Sequence, residues 1–150
     1  MCIRDRSKRS NLAGYRAGFL AGDPGIVAEL LEVRKHAGML VPRPVQRAMI
    51  ALLDDQDHVV QQRVRYLRRR AILWPALEAA GFRIEHSQGS IYLWATRDED
   101  SRASVDFLAG HGILVAPGDF YGPAAHRHVR LALTATDERI IAAATRLSGP

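Results

Sequence analysis

The chain has 150 residues, of which 47% are hydrophobic and 25% charged, so it can bury a core as one globular domain. Its apolar runs are much shorter than the roughly 20 residues that cross a membrane, and residues 1–6 lack the hydrophobic region of a signal peptide. Cys2 is the only cysteine, which excludes an internal disulfide and favours a reducing, cytoplasmic location.

The first informative stretch is Ser7–Phe19, in which Arg16 follows Lys8 by eight positions. Small and turn-forming residues separate the two cations, and an apolar run over 17–22 follows, so we predict a reactive loop that leads into a buried strand. A lysine can form a Schiff base with an aldehyde when burial or a nearby cation lowers its pKa. An arginine can bind a phosphate through two donors. A solvated basic N-terminus is the alternative interpretation.

Two helices are predicted next. Asp23 and Pro24 suit the N-cap and first turn of a helix that we expect to end at Gly38. Pro44 opens a second predicted helix, which covers residues 45–53. The residues expected on its buried side recur at helical spacing; they are Ala48, Met49 and Leu52.

Residues 55–80 predict one long helix, because apolar residues recur there at steps of three and four. Pro75 should kink this helix, and Gly81 should end it. The helix carries five arginines, which are Arg63, Arg65, Arg68, Arg69 and Arg70. We expect them to form a solvated face, with a subunit or domain contact as the alternative. Nucleic-acid binding is disfavoured despite the formal net charge of +5, because no aromatic residues alternate with the arginines.

The C-terminal part is predicted to alternate between strands and helices. The predicted strands cover residues 82–85, 91–95, 112–116 and 129–133. The predicted helices cover residues 101–110 and 136–147, and a loop rich in turn residues covers 117–123. Such alternation indicates an α/β fold.

Arg130 lies in the last predicted strand, between the apolar residues Val129 and Leu131. A buried arginine without a partner is costly, so Arg130 must point to solvent, pair with a carboxylate or bind a ligand. Alternation places it on the same face as His128 and opposite Val129 and Leu131. The spacing of His126 and His128 is similar to that of metal ligands, but no cysteine or acidic residue accompanies them at ligand spacing, so we expect no metal.

The stretch Ser7–Phe19 resembles the cofactor segment of the fold-type-I aminotransferases that use pyridoxal phosphate. Ser7, Lys8 and Arg16 match the family's pattern, which is Ser-x-Ser-Lys and an arginine eight residues after the lysine. The similarity continues to the C-terminus and is strongest over residues 34–38, 92–99, 115–122 and 128–134. The resemblance implies the C-terminal part of a fold-type-I transferase, with the end of the large domain and a small α/β C-terminal domain.

The resemblance also implies roles for single residues. Lys8 would hold the pyridoxal phosphate as a Schiff base and then act as general base and acid at the substrate α-carbon. Ser7 and Arg16 would bind the cofactor, Arg16 through its phosphate. Arg130 would form a bidentate pair with the α-carboxylate of the substrate.

The resemblance implies a substrate pocket with one wall formed by the loop 117–123, where Phe120 and Tyr121 would lie nearest the substrate; a purely structural turn is the alternative. The run Ser7–Phe19 is most similar to succinyldiaminopimelate transaminases, which implies glutamate as donor and N-succinyl-2-oxo-6-aminopimelate as acceptor in lysine biosynthesis. Two alternatives stay open: an aminotransferase for alanine, aspartate or aromatic amino acids, and a non-catalytic regulator domain. The family further implies amino acid and 2-oxo acid substrates, a homodimer, and neither nucleic acid nor membrane as partner.

The resemblance divides the chain into three parts. We expect residues 1–6 to be a lead-in foreign to the native protein, since Asp5 stands where the family has a serine and its carboxylate would repel a phosphate. Residues 7–54 would be a remnant of the large domain, and 55–150 the connecting helix and the small domain. The family's acidic partner of the pyridine nitrogen and its glycine-rich phosphate loop precede the lysine, so we expect these 150 residues alone to be a poor catalyst.

Overall fold

The computed structural model describes residues 2–5, 8–38, 40–89 and 91–149, with the backbone alone for 2–5. The chain divides into two compact units, Met1–Gln62 and Arg63–Pro150. Each unit is described by itself below. Ser7 lies outside the described residues, as do Met1 and Arg6.

The described residues form five α-helices and six β-strands. The helices are α1 (Pro24–Ala37), α2 (Arg43–Asp54), α3 (Asp57–Ala79), α4 (Ser101–Gly110) and α5 (Asp137–Ser148). The strands are β1 (Cys2–Asp5), β2 (Gly18–Ala21), β3 (Arg83–Glu85), β4 (Tyr92–Thr96), β5 (Ala116–Pro117) and β6 (His128–Ala132).

The first unit begins with a two-stranded antiparallel sheet, in which β1 pairs with β2. β2 follows the Lys8–Arg16 loop as predicted, but its residues are half-buried or exposed, so the prediction of a buried strand was wrong. The physical reason is that β2 pairs with β1 alone and no described element covers both of its faces.

The two helices of the first unit confirm the capping signals in the sequence. The Asp23 carboxylate accepts hydrogen bonds from the backbone N–H groups of Gly25 and Ile26, at 2.9 and 3.1 Å. Gly38 ends α1 in the left-handed conformation, with φ of 69°, which only glycine adopts without strain. In α2, Met49 is buried as predicted.

The long helix α3 runs through Pro75 and ends before Gly81, whose φ is 86°. One of its arginines contradicts the prediction of a solvated face. Arg69 has a side chain that is 13% exposed; its Nε donates to Asp137 at 2.5 Å, and its Nη1 donates to the backbone carbonyl of Leu133 at 3.1 Å. This arginine therefore fixes the start of α5 rather than facing solvent.

The second unit is built on a four-stranded antiparallel sheet in the order β3-β4-β6-β5. One face of this sheet packs against helices, since Leu93, Ala95 and Val129 are completely buried and Leu131 is 2% exposed. From α3, α4 and α5 the core receives Leu73, Leu77, Leu108, Ile140 and Leu147. The opposite face carries polar and aromatic side chains, among them Trp94 and Arg130, which are paired across β4 and β6.

The predicted strand over 112–116 was wrong. Residues 113–115 are irregular, and Leu114 is 95% exposed. Gly112 turns the chain after α4 with φ of 66°, and pairing with β6 starts only at Ala116, which lies opposite Arg130. A short apolar run between two turns predicts burial without fixing where pairing begins.

Candidate active site

Two groups of residues carry the predicted chemistry, and the first is the loop that precedes β2. Lys8 and Arg16 are both exposed in this loop. A 3-10 helix over Ala13–Tyr15 shapes the turn between them, and the Nη1 of Arg16 donates to the backbone carbonyl of Ala13 at 3.2 Å. The backbone of Arg16 is left-handed, with φ of 50°. Such strain in a non-glycine residue is uncommon and concentrates at functional sites.

The loop is anchored by Ser10, which is 8% exposed although it lies near two exposed cations. Its Oγ lies 3.0 Å from the Nε2 of His58, a part-buried residue at the start of α3. Arg9 also contacts Gln56 through a side-chain hydrogen bond. These contacts hold the loop between Lys8 and Arg16 against the N-terminal part of α3.

The second group lies on the polar face of the sheet in the second unit, with Arg130 at its centre. The Cζ of Arg130 lies 4.2 Å from the ring centroid of Tyr92 and 5.1 Å from that of Tyr121. Its Nε is buried and has no hydrogen-bond partner among the described residues. The guanidinium is therefore held by two aromatic rings while at least one of its donors lacks an acceptor.

A row of side chains continues from Tyr121 across the sheet. The rings of Tyr121 and Trp94 meet edge to face, with centroids 5.7 Å apart. Trp94 stacks on His128 at 5.1 Å with an interplanar angle of 7°. The Nε2 of His128 in turn lies 3.0 Å from a carboxylate oxygen of Glu85.

Two carboxylates near the His128 end of this row, Glu85 and Asp98, are paired with Arg83. Glu85 accepts a hydrogen bond from Arg83 at 2.7 Å, and Arg83 also forms a bidentate pair with Asp98 at 2.6 and 3.1 Å. Hydrogen bonds from His128 and then from Arg83 hold the pKa of Glu85 below its usual value. A hydrogen bond from Arg83 does the same for the pKa of Asp98. Both carboxylates are therefore ionised at neutral pH.

Beside this row the second unit has an open cavity of about 430 Å³. Its walls include the rings of Trp94, Tyr121 and His128 and the carboxylate of Glu85. Small residues over 122–125 form its rim. Aromatic walls with a few polar groups are typical of a small-molecule site.

The loop that carries Tyr121 is tightly packed at Gly118. A Cβ added at Gly118 would lie 2.0 Å from the backbone oxygen of Ala125 and 2.6 Å from that of His128, so no side chain fits there. Arg102 pairs with Asp119 at 2.8 Å and lies over the ring of Phe120 at 5.2 Å. Phe120 is 68% exposed, and its described ring contact is with Arg102, whereas Tyr121 contacts Arg130.

Of the predicted site residues, the second unit brings Arg130 and Tyr121 together, and the first unit carries Lys8 and Arg16 on one loop. Sequence reasoning assigned no role to Tyr92 or Trp94. Their alternation along β4 was a usable signal, because Tyr92 and Trp94 share one face of the strand while Leu93 is buried on the other.

Two kinds of feature are absent from the residues that the structure describes. No described helix is both long and apolar enough to span a membrane. Within the same residues, no cluster of three or more histidine, cysteine or acidic side chains has an arrangement that could hold a metal ion.

The chain is similar to known aminotransferases over almost its whole length. Residues 5–147 match the family model "Aminotransferase class I and II". The chain is 62% identical over 148 residues to the "Probable aminotransferase Rv1178" of Mycobacterium tuberculosis, covering 99% of this chain and 35% of that protein. It is 60% identical over 148 residues to the 4-dedimethylamino-4-oxo-anhydrotetracycline transaminase OxyQ of Streptomyces rimosus, covering 99% of this chain and 41% of that protein.

Solved structures agree with the family match. An aminotransferase from Neisseria meningitidis superposes with a TM-score of 0.85 at 34% identity, over 97% of this chain and 39% of that one. The chain therefore spans between about a third and two fifths of the length of these relatives. The predicted fold class is confirmed, since the fold is that of the C-terminal part of a fold-type-I aminotransferase. The chain belongs to the class I and II aminotransferases.

Proposed function

We propose that the chain is the C-terminal part of a pyridoxal-phosphate-dependent aminotransferase and that Arg130 binds the α-carboxylate of its substrates. The observation that carries this proposal is the guanidinium of Arg130, which is held between Tyr92 and Tyr121 with a buried Nε that no described acceptor satisfies. A buried donor without an acceptor costs about 1–3 kcal/mol. A carboxylate would satisfy the guanidinium through two parallel hydrogen bonds.

The residues of the first unit fit the cofactor that the family uses. An exposed amine at Lys8 and an exposed guanidinium at Arg16 lie on one loop, and these two groups suit an aldehyde that carries a phosphate. Bound there, pyridoxal phosphate would supply an electron sink for the reaction. Ser7, by its place in the family's pattern, would be a further cofactor contact.

Lys8 would also be the proton carrier. A neutral lysine amine can remove a proton from the substrate α-carbon and return it to another atom, which is general base and acid catalysis by one group. Arg130 would hold the α-carboxylate and so restrict the orientation of the substrate. Phe120 and Tyr121 would line the substrate pocket.

The substrates are the finer part of the proposal. Glutamate would be the donor and N-succinyl-2-oxo-6-aminopimelate the acceptor, as the likeness of Ser7–Phe19 to succinyldiaminopimelate transaminases implies. The 60% identity to OxyQ supports a second candidate, an acceptor with a planar ring system, because the name of that relative specifies an oxo-anhydrotetracycline. A homodimer and a cytoplasmic location are proposed from the family and from the single cysteine.

Carboxylate binding tests the role of Arg130 on the chain itself. Binding of glutamate to the 150-residue chain can be followed by NMR with labelled arginine side chains. Arg130→Lys should weaken binding at least about tenfold, because lysine lacks the planar fork and a charge-assisted hydrogen bond contributes about 1.5–3 kcal/mol. Arg139→Lys is the matched control, since Arg139 is exposed on α5. Equal loss in both variants, or none in Arg130→Lys, would refute the role.

The acceptor is tested on the complete protein of which we propose this chain to be a part. With glutamate as donor, the rates with the succinylated 2-oxo acid, with pyruvate, oxaloacetate and phenylpyruvate, and with a polycyclic ketone are compared. The proposal predicts the highest kcat/KM for the succinylated acceptor. A preference for the polycyclic ketone would select the second candidate.

A further inference from the structure

We infer that His128 is a positioning residue that tunes the affinity of Arg130 for carboxylates through Trp94 and Tyr121, and that its protonation strengthens carboxylate binding. This inference rests on the proposed function, because it assumes that Arg130 binds a substrate carboxylate. It adds a residue that has no place in the catalytic scheme above.

The geometry connects His128 to Arg130 in three contacts. His128 and Trp94 are parallel at 5.1 Å, Trp94 meets Tyr121 edge to face at 5.7 Å, and Tyr121 lies 5.1 Å from the guanidinium carbon of Arg130. Trp94 is also the residue directly opposite Arg130 in the β4–β6 pairing. Each ring is in contact with the next, so the orientation of the indole constrains the ring against which Arg130 packs.

His128, at the end of this row that lies farthest from Arg130, contacts a charged group. The Nε2 of His128 lies 3.0 Å from Glu85, whose other oxygen accepts from Arg83. His128 is about one-fifth exposed, and its Nδ1 is buried without a hydrogen-bond partner in the described part of the chain. Glu85 therefore faces one edge of the ring, and Trp94 covers its face.

Several other titratable or charged groups surround this position. Arg83 and Glu85 on β3 contribute opposite charges, and Asp98 after β4 lies close enough for His128 to act on its pKa. Arg127 and Arg130 flank His128 along the chain, and His86 lies on the wall of the same cavity. Among these, His86 is the other imidazole.

Protonation changes both contacts of His128 in the same direction. An imidazolium forms a charge-assisted hydrogen bond with Glu85, which is stronger than the bond from a neutral ring. A cation over the face of an indole is also favourable. With the imidazolium present, the stack and hence Tyr121 should be more firmly held. With the neutral ring both contacts weaken, and the carboxylate also loses a nearby positive charge.

The test uses the 150-residue chain, with glutamate as the probe and the Nε–H signals of labelled arginine as the readout, between about pH 5.5 and 8. Over this range neither arginine nor glutamate changes its charge. Wild-type affinity should fall about three- to tenfold as the pH rises, the range expected for the loss of one aromatic contact. In His128→Asn this pH step should disappear.

A second variant and two controls separate the possible causes. Glu85→Gln keeps an acceptor but removes the charge, so the pH step should move to lower pH. His126→Asn should leave the step unchanged, because the described hydrogen bond of the His126 ring is with the backbone carbonyl of Pro123. His86→Asn should also leave it unchanged.

The outcomes distinguish this inference from the proposed function. If Arg130→Lys abolishes glutamate binding but His128→Asn keeps the pH step, the inference is wrong and the proposed function stands. If the step disappears in His86→Asn instead, the inference is equally wrong. If Arg130→Lys binds glutamate as well as wild type, the proposed role of Arg130 fails and this inference with it.

Discussion

The two units of the chain differ in how they use apolar residues. Among the described residues, the second unit buries a continuous core of thirteen, which includes Leu77, Leu93 and Leu133, each with no exposed area. In the first unit the buried hydrophobic residues described are Ala17 and Met49. Several large apolar side chains there are half or more exposed; they include Ile26, Val33, Leu40 and Ile50.

This difference shows that regular secondary structure and stability are separate properties. The helices of the first unit have good caps, but capping contributes only about 1 kcal/mol for each cap. Burial of a whole leucine side chain contributes about 1.5–3 kcal/mol. The second unit should therefore hold most of the stability of the chain, and the proposed cofactor loop should be the less protected part.

The difference in burial predicts that truncating a leucine costs much more stability in the second unit than in the first. Leu77→Ala in the core of the second unit should lower the free energy of unfolding by about 2–5 kcal/mol, because it leaves a cavity at a fully buried site. Leu31→Ala in the first unit is the matched control, and with a residue 47% exposed it should cost less than about 1 kcal/mol. Denaturant unfolding measures both losses, and equal losses would contradict the view that the second unit holds most of the stability.

The next effect concerns the loop that carries Tyr121. Gly118→Ala should destabilise the second unit by about 1–3 kcal/mol, the usual cost of overpacking, because its Cβ would collide with two backbone oxygens. It should also change the fluorescence of Trp94, whose ring contacts Tyr121. Gly110→Ala is the control, since a Cβ there meets nothing within 4 Å. An unchanged spectrum in Gly118→Ala would show that the loop does not position Tyr121.

A smaller effect is expected at the buried hydroxyl of Thr96, which is 1% exposed. Its Oγ1 donates to the carbonyl of Arg127 at 2.5 Å and accepts from the N–H of Asp98 at 2.9 Å. Thr96→Val keeps the shape but loses both hydrogen bonds, so about 1–2 kcal/mol should be lost. Thermal unfolding is compared with that of Thr145→Val, because Thr145 is exposed and its hydroxyl donates to a backbone carbonyl within α5. A greater loss in Thr145→Val than in Thr96→Val would contradict the stabilising role of the two buried hydrogen bonds.

The smallest of these effects is a pH dependence of the free energy of unfolding, which we expect in the second unit. Hydrogen bonding to Arg69 lowers the pKa of Asp137 in the folded state. A lowered folded-state pKa gives stability that is present above the unfolded value of about 3.9 and is lost as the pH falls through the folded value. Asp137→Asn should therefore flatten the loss of stability at acid pH. Urea unfolding from about pH 6 to pH 2 measures it, and an unaltered slope would contradict the ion pair's contribution.

The sequence predicted the features that depend on neighbouring residues. The cap at Asp23, the end of α1 at Gly38 and the bounds of α4 were correct because each is set within one or two turns. Alternation correctly placed Arg130 and His128 on the face opposite Val129. The role of Arg130 in binding the substrate carboxylate was proposed from the family resemblance and stays a prediction.

Features that join distant parts of the chain could not be predicted in this way. Arg69 and Asp137 are 68 positions apart, so local patterns could not predict the ion pair that makes Arg69 an exception to the solvated arginine face. The stack of Trp94 on His128 depends on the register of β4 against β6, which the sequence does not specify. The prediction of a strand over 112–116 was wrong because apolar character does not show where pairing with a neighbouring strand begins.

The assignment of Lys8 and Arg16 to the cofactor is tested most directly on the two lysines of the chain, Lys8 and Lys35. The chain is incubated with limiting pyridoxal phosphate and reduced with borohydride, and peptide mapping locates the attached group. Lys8 should be labelled in preference to Lys35, which is paired with Glu32 at 2.5 Å. The preference should decrease in Arg16→Ala and with pyridoxal, which lacks the phosphate. Equal labelling of both lysines, or a preference that neither change reduces, would contradict the assignment of Lys8 and Arg16 to the cofactor.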